Sequence, residues 1–294
     1  MASKRKSTPS QNPLHSEAST SSDPTPSHIR FRDENAQNAF SENFSRRGIH
    51  FEHQVILADF ADTDLPDVIH SQVWESLCDD SITCPFMLIQ EFYSNMHGFD
   101  FSVPHFITRI KDTLIVVTSE IVSDVLRVPK VEFPDYPDYK HLRNVSKDEL
   151  KSAFCERPSD WGKRQFTYCS AFAKGPRFLN MVMTFVLHPL SHYNSITEPH
   201  ARFLLSLLEH LNINFPSHFV LSIIDVHRDS VSRDKLIFPS AITRILRHFF
   251  VPFPASNNFS YMCAIDATIV KRSEAQFRSG QSGSAFPPSR SAPS

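Results

Sequence analysis

HFITRIKDTLIVV, residues 105–117, decides how this chain is read. Phe106, Ile107 and Ile110 precede Lys111-Asp112, and Leu114, Ile115, Val116 and Val117 follow. Two runs rich in β-branched residues around a short polar turn predict a β-hairpin, because branched side chains suit a pleated surface and crowd a helix.

The segments on either side read as helix. Upstream, Leu65, Val68, Ile69, Val73, Trp74 and Leu77 fall close to a 3.6-residue repeat and predict one helix over Leu65–Cys78. Asp64 suits its cap and Pro66 its first turn. Pro85 starts a second helix, through Met87, Leu88, Phe92, Tyr93 and Met96 to a stop at Gly98. Downstream, Thr118 or Ser119 caps a helix to about Leu126, ended by Pro129. Pro134, Tyr136, Pro137 and Tyr139 mark a loop, and Ser146 with Glu149 forms a capping box for a helix to about Cys155. Further helices are expected over Pro176–Leu187, Thr197–Leu211, Pro216–Val226 and Pro239–Phe250. The expected fold is mainly α: about eight helices in one globular domain with one small β-hairpin. No strand–helix alternation suggests a parallel sheet, and no internal repeat is visible.

Residues 1–38 form a Ser/Thr/Pro-rich tail and residues 272–294 a second polar tail, both expected to be disordered because they offer too little apolar surface to offset chain entropy. The helical domain is placed at 39–271. With 26 Phe against 2 Trp and 6 Tyr, the aromatic content is mostly rings without a polar handle, which belong in a core. A net charge of −2 argues against a domain-wide basic footprint for nucleic acid, though not against a local patch. Five cysteines, Cys78, Cys84, Cys155, Cys169 and Cys263, are odd in number and widely spaced, which fits buried thiols in a reducing compartment. No apolar run reaches the roughly eighteen residues of a membrane span, and Met1–Ser27 lacks the apolar stretch of a secretory signal. An intracellular location follows.

Candidate chemistry is sparse. His188 and His192 stand at the i, i+4 spacing that puts two imidazoles on one helix face as zinc ligands. Pro189 between them breaks that face, and no Glu follows His188. The plainer reading has His188 against the last carbonyls of a helix and His192 in a loop. Cys155 and Cys169 have no metal-site spacing. Asp59, Asp62, Glu209 and Asp225 are candidates for a carboxylate cluster holding two metal ions, but such acids need a mixed sheet to converge on. GxSxG, a phosphate-binding Gly-rich loop and the Asp-Thr/Ser-Gly triplet are all missing. Arg228, Arg233, Arg244, Arg247 and His248 could form a small basic patch near the C-terminus, or an ordinary exposed amphipathic face. Lys4-Arg5-Lys6 reads as a nuclear import signal or as solvated tail charge.

Several stretches in order resemble the plant family described as the putative plant transposon protein domain. They are Trp74-Glu75-Ser76-Leu77, Leu88-Ile89-Gln90-Glu91-Phe92-Tyr93-Ser94-Asn95, Leu187-His188-Pro189-Leu190-Ser191-His192, Ile196-Thr197 with Arg202, Leu211-Asn212-Ile213-Asn214 and Leu236-Ile237-Phe238-Pro239-Ser240. The resemblance covers about Phe44 to Val251. Its one departure is Arg109-Ile110-Lys111, where an Arg-Gly pair is expected. The resemblance implies a mobile-element origin and a nuclear setting, and it carries over no catalytic residue. The expected function is that of a non-enzymatic, plant transposable-element-derived helical domain, without a cofactor, acting through protein or nucleic-acid interaction; the candidate partners are a second copy of the chain or nucleic acid, and no membrane. The alternatives are a nucleic-acid-binding module using the C-terminal basic residues, and a metal-dependent transposase or nuclease fragment.

Overall fold

The computed structural model describes residues 30–79, 86–137, 140–156, 166–168, 171–189, 195–229, 235–253, 264–269 and 271–272. The hairpin is present, but it is part of something larger. Strands β1 (His97–Asp100), β2 (His105–Ile110) and β3 (Thr113–Thr118) form an antiparallel sheet in the order β1-β2-β3. A second, two-stranded antiparallel sheet pairs β4 (Phe166–Tyr168) with β5 (Ser195–Thr197). The expectation of a mainly α fold with a single small hairpin is therefore wrong: the chain is α/β, with helices grouped around antiparallel sheet.

The register follows side-chain chemistry. Phe106 pairs with Val117, Thr108 with Ile115 and Ile110 with Thr113. Phe106, Thr108, Ile110, Ile115 and Val117 are all buried, because period-two alternation sends them to one face. That face is covered by α4 (Phe86–Ser94) and by α10 (Phe215–Arg228). Thr108 Oγ1 donates to the Phe92 carbonyl at 2.8 Å, tying β2 to α4. Helix α4 is buried from Leu88 to Ser94. It stops at Ser94, not at Gly98, which instead lies inside β1 at φ +63. β1 escapes a reading of the sequence because His-Gly-Phe-Asp has neither alternation nor a branched residue; pairing with β2 makes it a strand.

The other elements, in chain order, are α1 (Glu34–Glu42), α2 (Leu65–Gln72), α3 (Glu75–Cys78), α5 (Ser119–Leu126), α6 (Lys140–Asn144), α7 (Lys147–Phe154), α8 (Lys174–Val182), α9 (Glu198–Leu208) and α11 (Pro239–His248). α1 spans the position where the N-terminal tail is expected to end. The single helix expected over Leu65–Cys78 is two, because Val73 turns left-handed at φ 57 and closes α2. Thr118 caps α5 through its hydroxyl, and the Ser146/Glu149 capping box opens α7. A π-helical turn, Met183–Leu187, continues α8. The core is aromatic: Phe60, Phe92, Phe106, Phe154, Phe172, Phe178, Phe203, Phe215, Phe219 and Phe238 are all essentially fully buried, with Trp74 and Tyr93. Trp74 and Phe215 meet at 5.4 Å between ring centres and Phe219 and Phe238 at 4.7 Å, distances at which aromatic pairs attract. No described helix is long and apolar enough to cross a membrane.

Candidate functional site

Three histidines meet where α9, α10 and the end of the π turn come together. His188 follows the π turn, His200 sits in the first turn of α9 and His218 in the first turns of α10. His188 Nδ1 and His218 Nε2 are 2.8 Å apart, so one ring donates and the other accepts. The His188 ring lies 4.8 Å from His218 and 4.6 Å from His200. Phe203 stacks on His218 at 4.8 Å and on His188 at 5.4 Å, and the Tyr136 ring meets His218 edge-on. His200 Nδ1 hydrogen-bonds Thr197 Oγ1. Burial among these rings disfavours the charged form. It holds His200 and His218 down to about 4, and drives His188 well below its ordinary value with help from repulsion by the other two imidazoles. At neutral pH the cluster is an uncharged hydrogen-bonded group. A cavity of ≈ 130 Å³ opens beside it, lined by His188, Pro189, Ser222, Asp225, Val226 and Ile237.

Of the metal candidates, His188 lies in this cluster and His192 falls outside the described residues. Among the described residues, no three His, Cys, Asp or Glu side chains are arranged to hold a metal ion. Sequence reasoning does not reach His200 and His218, because their spacing fits no local ligand motif and only the packing of α9 against α10 brings them together.

A second polar concavity surrounds the start of α11. Glu52 is buried, and its carboxylate accepts Ser240 N–H at 3.1 and 3.0 Å and Ala241 N–H at 3.1 Å. Those are the unpaired donors of a helix start, where the dipole favours negative charge. Burial nevertheless dominates and raises the Glu52 carboxyl to about 7, against the pull of the two N–H groups and of Arg244. Glu52, His53, Asp79 and Arg244 share a cavity of ≈ 30 Å³, enough for about one water.

Arg244, Arg247 and His248 share α11 at i, i+3 and i+4, and Arg228 closes α10. Arg244 is half-buried and donates to the Ser76 carbonyl at 3.0 Å. Arg247 lies over the Phe253 ring at 5.6 Å and Arg228 over Phe101 at 5.1 Å; both are exposed, as is His248. Arg233 and Lys4, Arg5 and Lys6 lie outside the described residues. Residues 70–252 match the family model described as the putative plant retrotransposon-related domain. The chain belongs to this family. No curated protein and no solved structure matches it.

The part matched to the retrotransposon-related domain includes the three-stranded sheet, the histidine cluster and Arg244, but not Glu52 or α1. The four acids considered for metal catalysis are spread through the fold. Asp59 accepts Ala267 N–H at 2.8 Å, Asp62 pairs with Lys174, Glu209 closes α9 and Asp225 lines the cavity beside His188. Cys78 is buried and its thiol is pushed up to about 12, while Cys155 is half-buried and also raised. These are features of inert thiols rather than nucleophiles. Cys84, Cys169 and Cys263 lie outside the described residues.

Proposed function

We propose that this retrotransposon-related chain is a non-enzymatic module that acts by binding another macromolecule, with protein as the favoured partner. The observation that carries the reading is how polar and apolar groups are distributed. Polar groups in the two concavities serve the fold: Glu52 caps a helix, Arg244 ties α11 to α3, and His188 and His218 satisfy each other. Large apolar side chains stand outside it, with Leu114 59% exposed and Val116 40% exposed on the uncovered face of the main sheet. An apolar surface on a rigid sheet is a place for protein contact. Arg228 and Arg247 already lie over the rings of Phe101 and Phe253, and Arg244 is engaged by the Ser76 carbonyl, which supports a structural use of these cations. A nuclear setting, with Lys4-Arg5-Lys6 as import signal, belongs to the same reading.

The test uses the purified full chain with labelled single- and double-stranded DNA and RNA, with Mg²⁺ or Mn²⁺, across a salt series. The expected result is no strand cleavage and no tight, salt-sensitive shift. Cleavage abolished by Asp225→Asn would overturn the non-enzymatic reading. A shift lost in Arg228→Ala/Arg247→Ala would make nucleic acid the partner.

A further inference from the structure

β3 is an edge strand, and nothing in its sequence guards that edge. Edge strands present unpaired N–H and C=O groups, and proteins commonly blunt them with Lys, Pro or a bulge. Thr113-Leu-Ile-Val-Val-Thr118 carries no charge and no Pro, and its pairing to β2 runs without a bulge. The two-residue turn Lys111-Asp112 joins Ile110 and Thr113 as the pair that closes the hairpin. Hydrogen-bonded pairs then alternate, so Thr113, Ile115 and Val117 bond β2 while Leu114 and Val116 aim their N–H and C=O at the open edge. Among the described residues, no turn, loop or side-chain hydrogen bond reaches the backbone of Leu114 or Val116. The same two residues carry the exposed apolar side chains of the strand.

We propose that β3 pairs with β3 of a second copy of this chain, antiparallel about a two-fold axis through Ile115, so that two sheets become one. A two-fold contact must be self-complementary, and this strand is. With the axis at Ile115, Leu114 faces the partner's Val116 on the outer face and exchanges both backbone bonds with it. On the inner face Ile115 meets its own copy, and Thr113 faces the partner's Val117. Asp112 falls opposite the partner's Thr118, where the strand ends, and Thr113-Leu-Ile-Val-Val-Thr118 carries no charge, so no like charges meet along the paired strands. The chain's own Ser/Thr/Pro-rich segments, 1–29 and 273–294, lack the alternating apolar run that would fill this edge. Six residues of strand bury less than the roughly 1,200 Å² of a standard stable interface, so the association is a weak one that depends on concentration.

The inference rests on reading the chain as an interaction module and names its partner. Sedimentation of the full chain over a concentration series, with amide hydrogen exchange on the same samples, tests it. A monomer–dimer equilibrium is expected. Protection at Leu114 and Val116 should rise with concentration, while Ile115 and Val117, already bonded to β2, stay constant. Val116→Lys, placed on the exposed face, should weaken dimerisation by about tenfold or more without lowering the melting temperature. Val116→Pro removes only an edge donor and should do the same. A chain that stays monomeric overturns the pairing, as does a dimer indifferent to both substitutions. Protection of Leu114 and Val116 that persists at low concentration overturns it too, because the chain's own residues would then cover the edge. None of these outcomes touches the non-enzymatic reading, which falls to strand cleavage.

Discussion

Glu52 shows how a single side chain can be misjudged from charge alone. Buried carboxylates are costly, yet this one satisfies backbone donors that α11 leaves open. Glu52→Ala would leave the N–H groups of Ser240 and Ala241 buried without acceptors, and should destabilise the fold by about 1–3 kcal/mol in urea unfolding. Glu52→Gln keeps one acceptor oxygen and should recover part of that loss. Equal stability of the Glu52→Ala variant and the wild-type chain would mean that water replaces the carboxylate at the helix start. Lys111 is a second such residue. It sits at φ 53 in the hairpin turn, at the end of the Arg109-Ile110-Lys111 stretch in which the sequence resemblance leads one to expect an Arg-Gly pair. A side chain there costs about 1 kcal/mol against Cβ–carbonyl crowding. Lys111→Gly should raise stability by up to that amount, less the added entropy of the unfolded chain. A fall in stability would show that the turn does not strain Lys111. Neither Glu52 nor its helix could be paired from sequence, because 188 positions separate Ser240 from Glu52.

At the scale of elements, what is legible is what is local. Period-two burial in β2 and β3, the Thr118 cap of α5 and the Ser146/Glu149 box of α7 are written in neighbouring residues, and they stand where those residues put them. β1 is illegible because tertiary pairing, not propensity, makes it. The split between α2 and α3 is hidden because Val73 and Trp74 keep the apolar spacing of a continuous helix while the backbone turns left-handed. The histidine cluster is half legible: His188 stands out, but its partners come from α9 and α10. Gly98 carries the cost of misreading β1. Its place after an apolar run suggests a helix stop, whereas its φ of +63 and the 3.1 Å gap between an added Cβ and Ile107 Cδ1 show a strand position where a side chain is strained. Gly98→Ala should destabilise the fold by about 1–2 kcal/mol and raise hydrogen exchange across β1 and β2. The same change at Gly175 in α8, where a Cβ would meet only Asp64 Oδ2 at 3.5 Å, should be neutral or mildly stabilising. Equal effects at the two positions would count against the strained geometry of β1.

At the scale of the whole molecule, burial of imidazoles sets the response to acid. His50, His200, His218 and His227 are all held down to about 4, and His188 well below its ordinary value, burial being the largest cause in each. Neighbouring positive groups add to this at all but His200: Lys235 and His53 face His50, Arg32 and Arg47 face His227, and the clustered imidazoles repel one another at His188 and His218. In the unfolded chain these rings take up protons near the ordinary 6.5; in the folded chain they do not. Between about 4 and 6.5 the unfolded state therefore binds more protons, and stability rises with pH. It is fully present above 6.5 and is lost as pH falls through that window. Glu52 works the other way. Its carboxyl, raised to about 7, keeps a proton that the unfolded chain releases near 4.5, so its contribution fades as pH rises from 4.5 to 7. Five depressed imidazoles outnumber the three raised carboxyls, Glu52, Glu91 and Asp225, so the histidines decide the sign. Melting temperature should fall steadily from about pH 7 to pH 5 and level off above 7. His218→Phe would remove one titrating ring next to Phe203 and should flatten the acid limb. A melting temperature constant over roughly pH 7 to 5 would mean that the rings open to water and charge without unfolding the chain. The closely packed imidazoles of α9, α10 and the π turn could then not be the neutral, desolvated cluster that their burial implies.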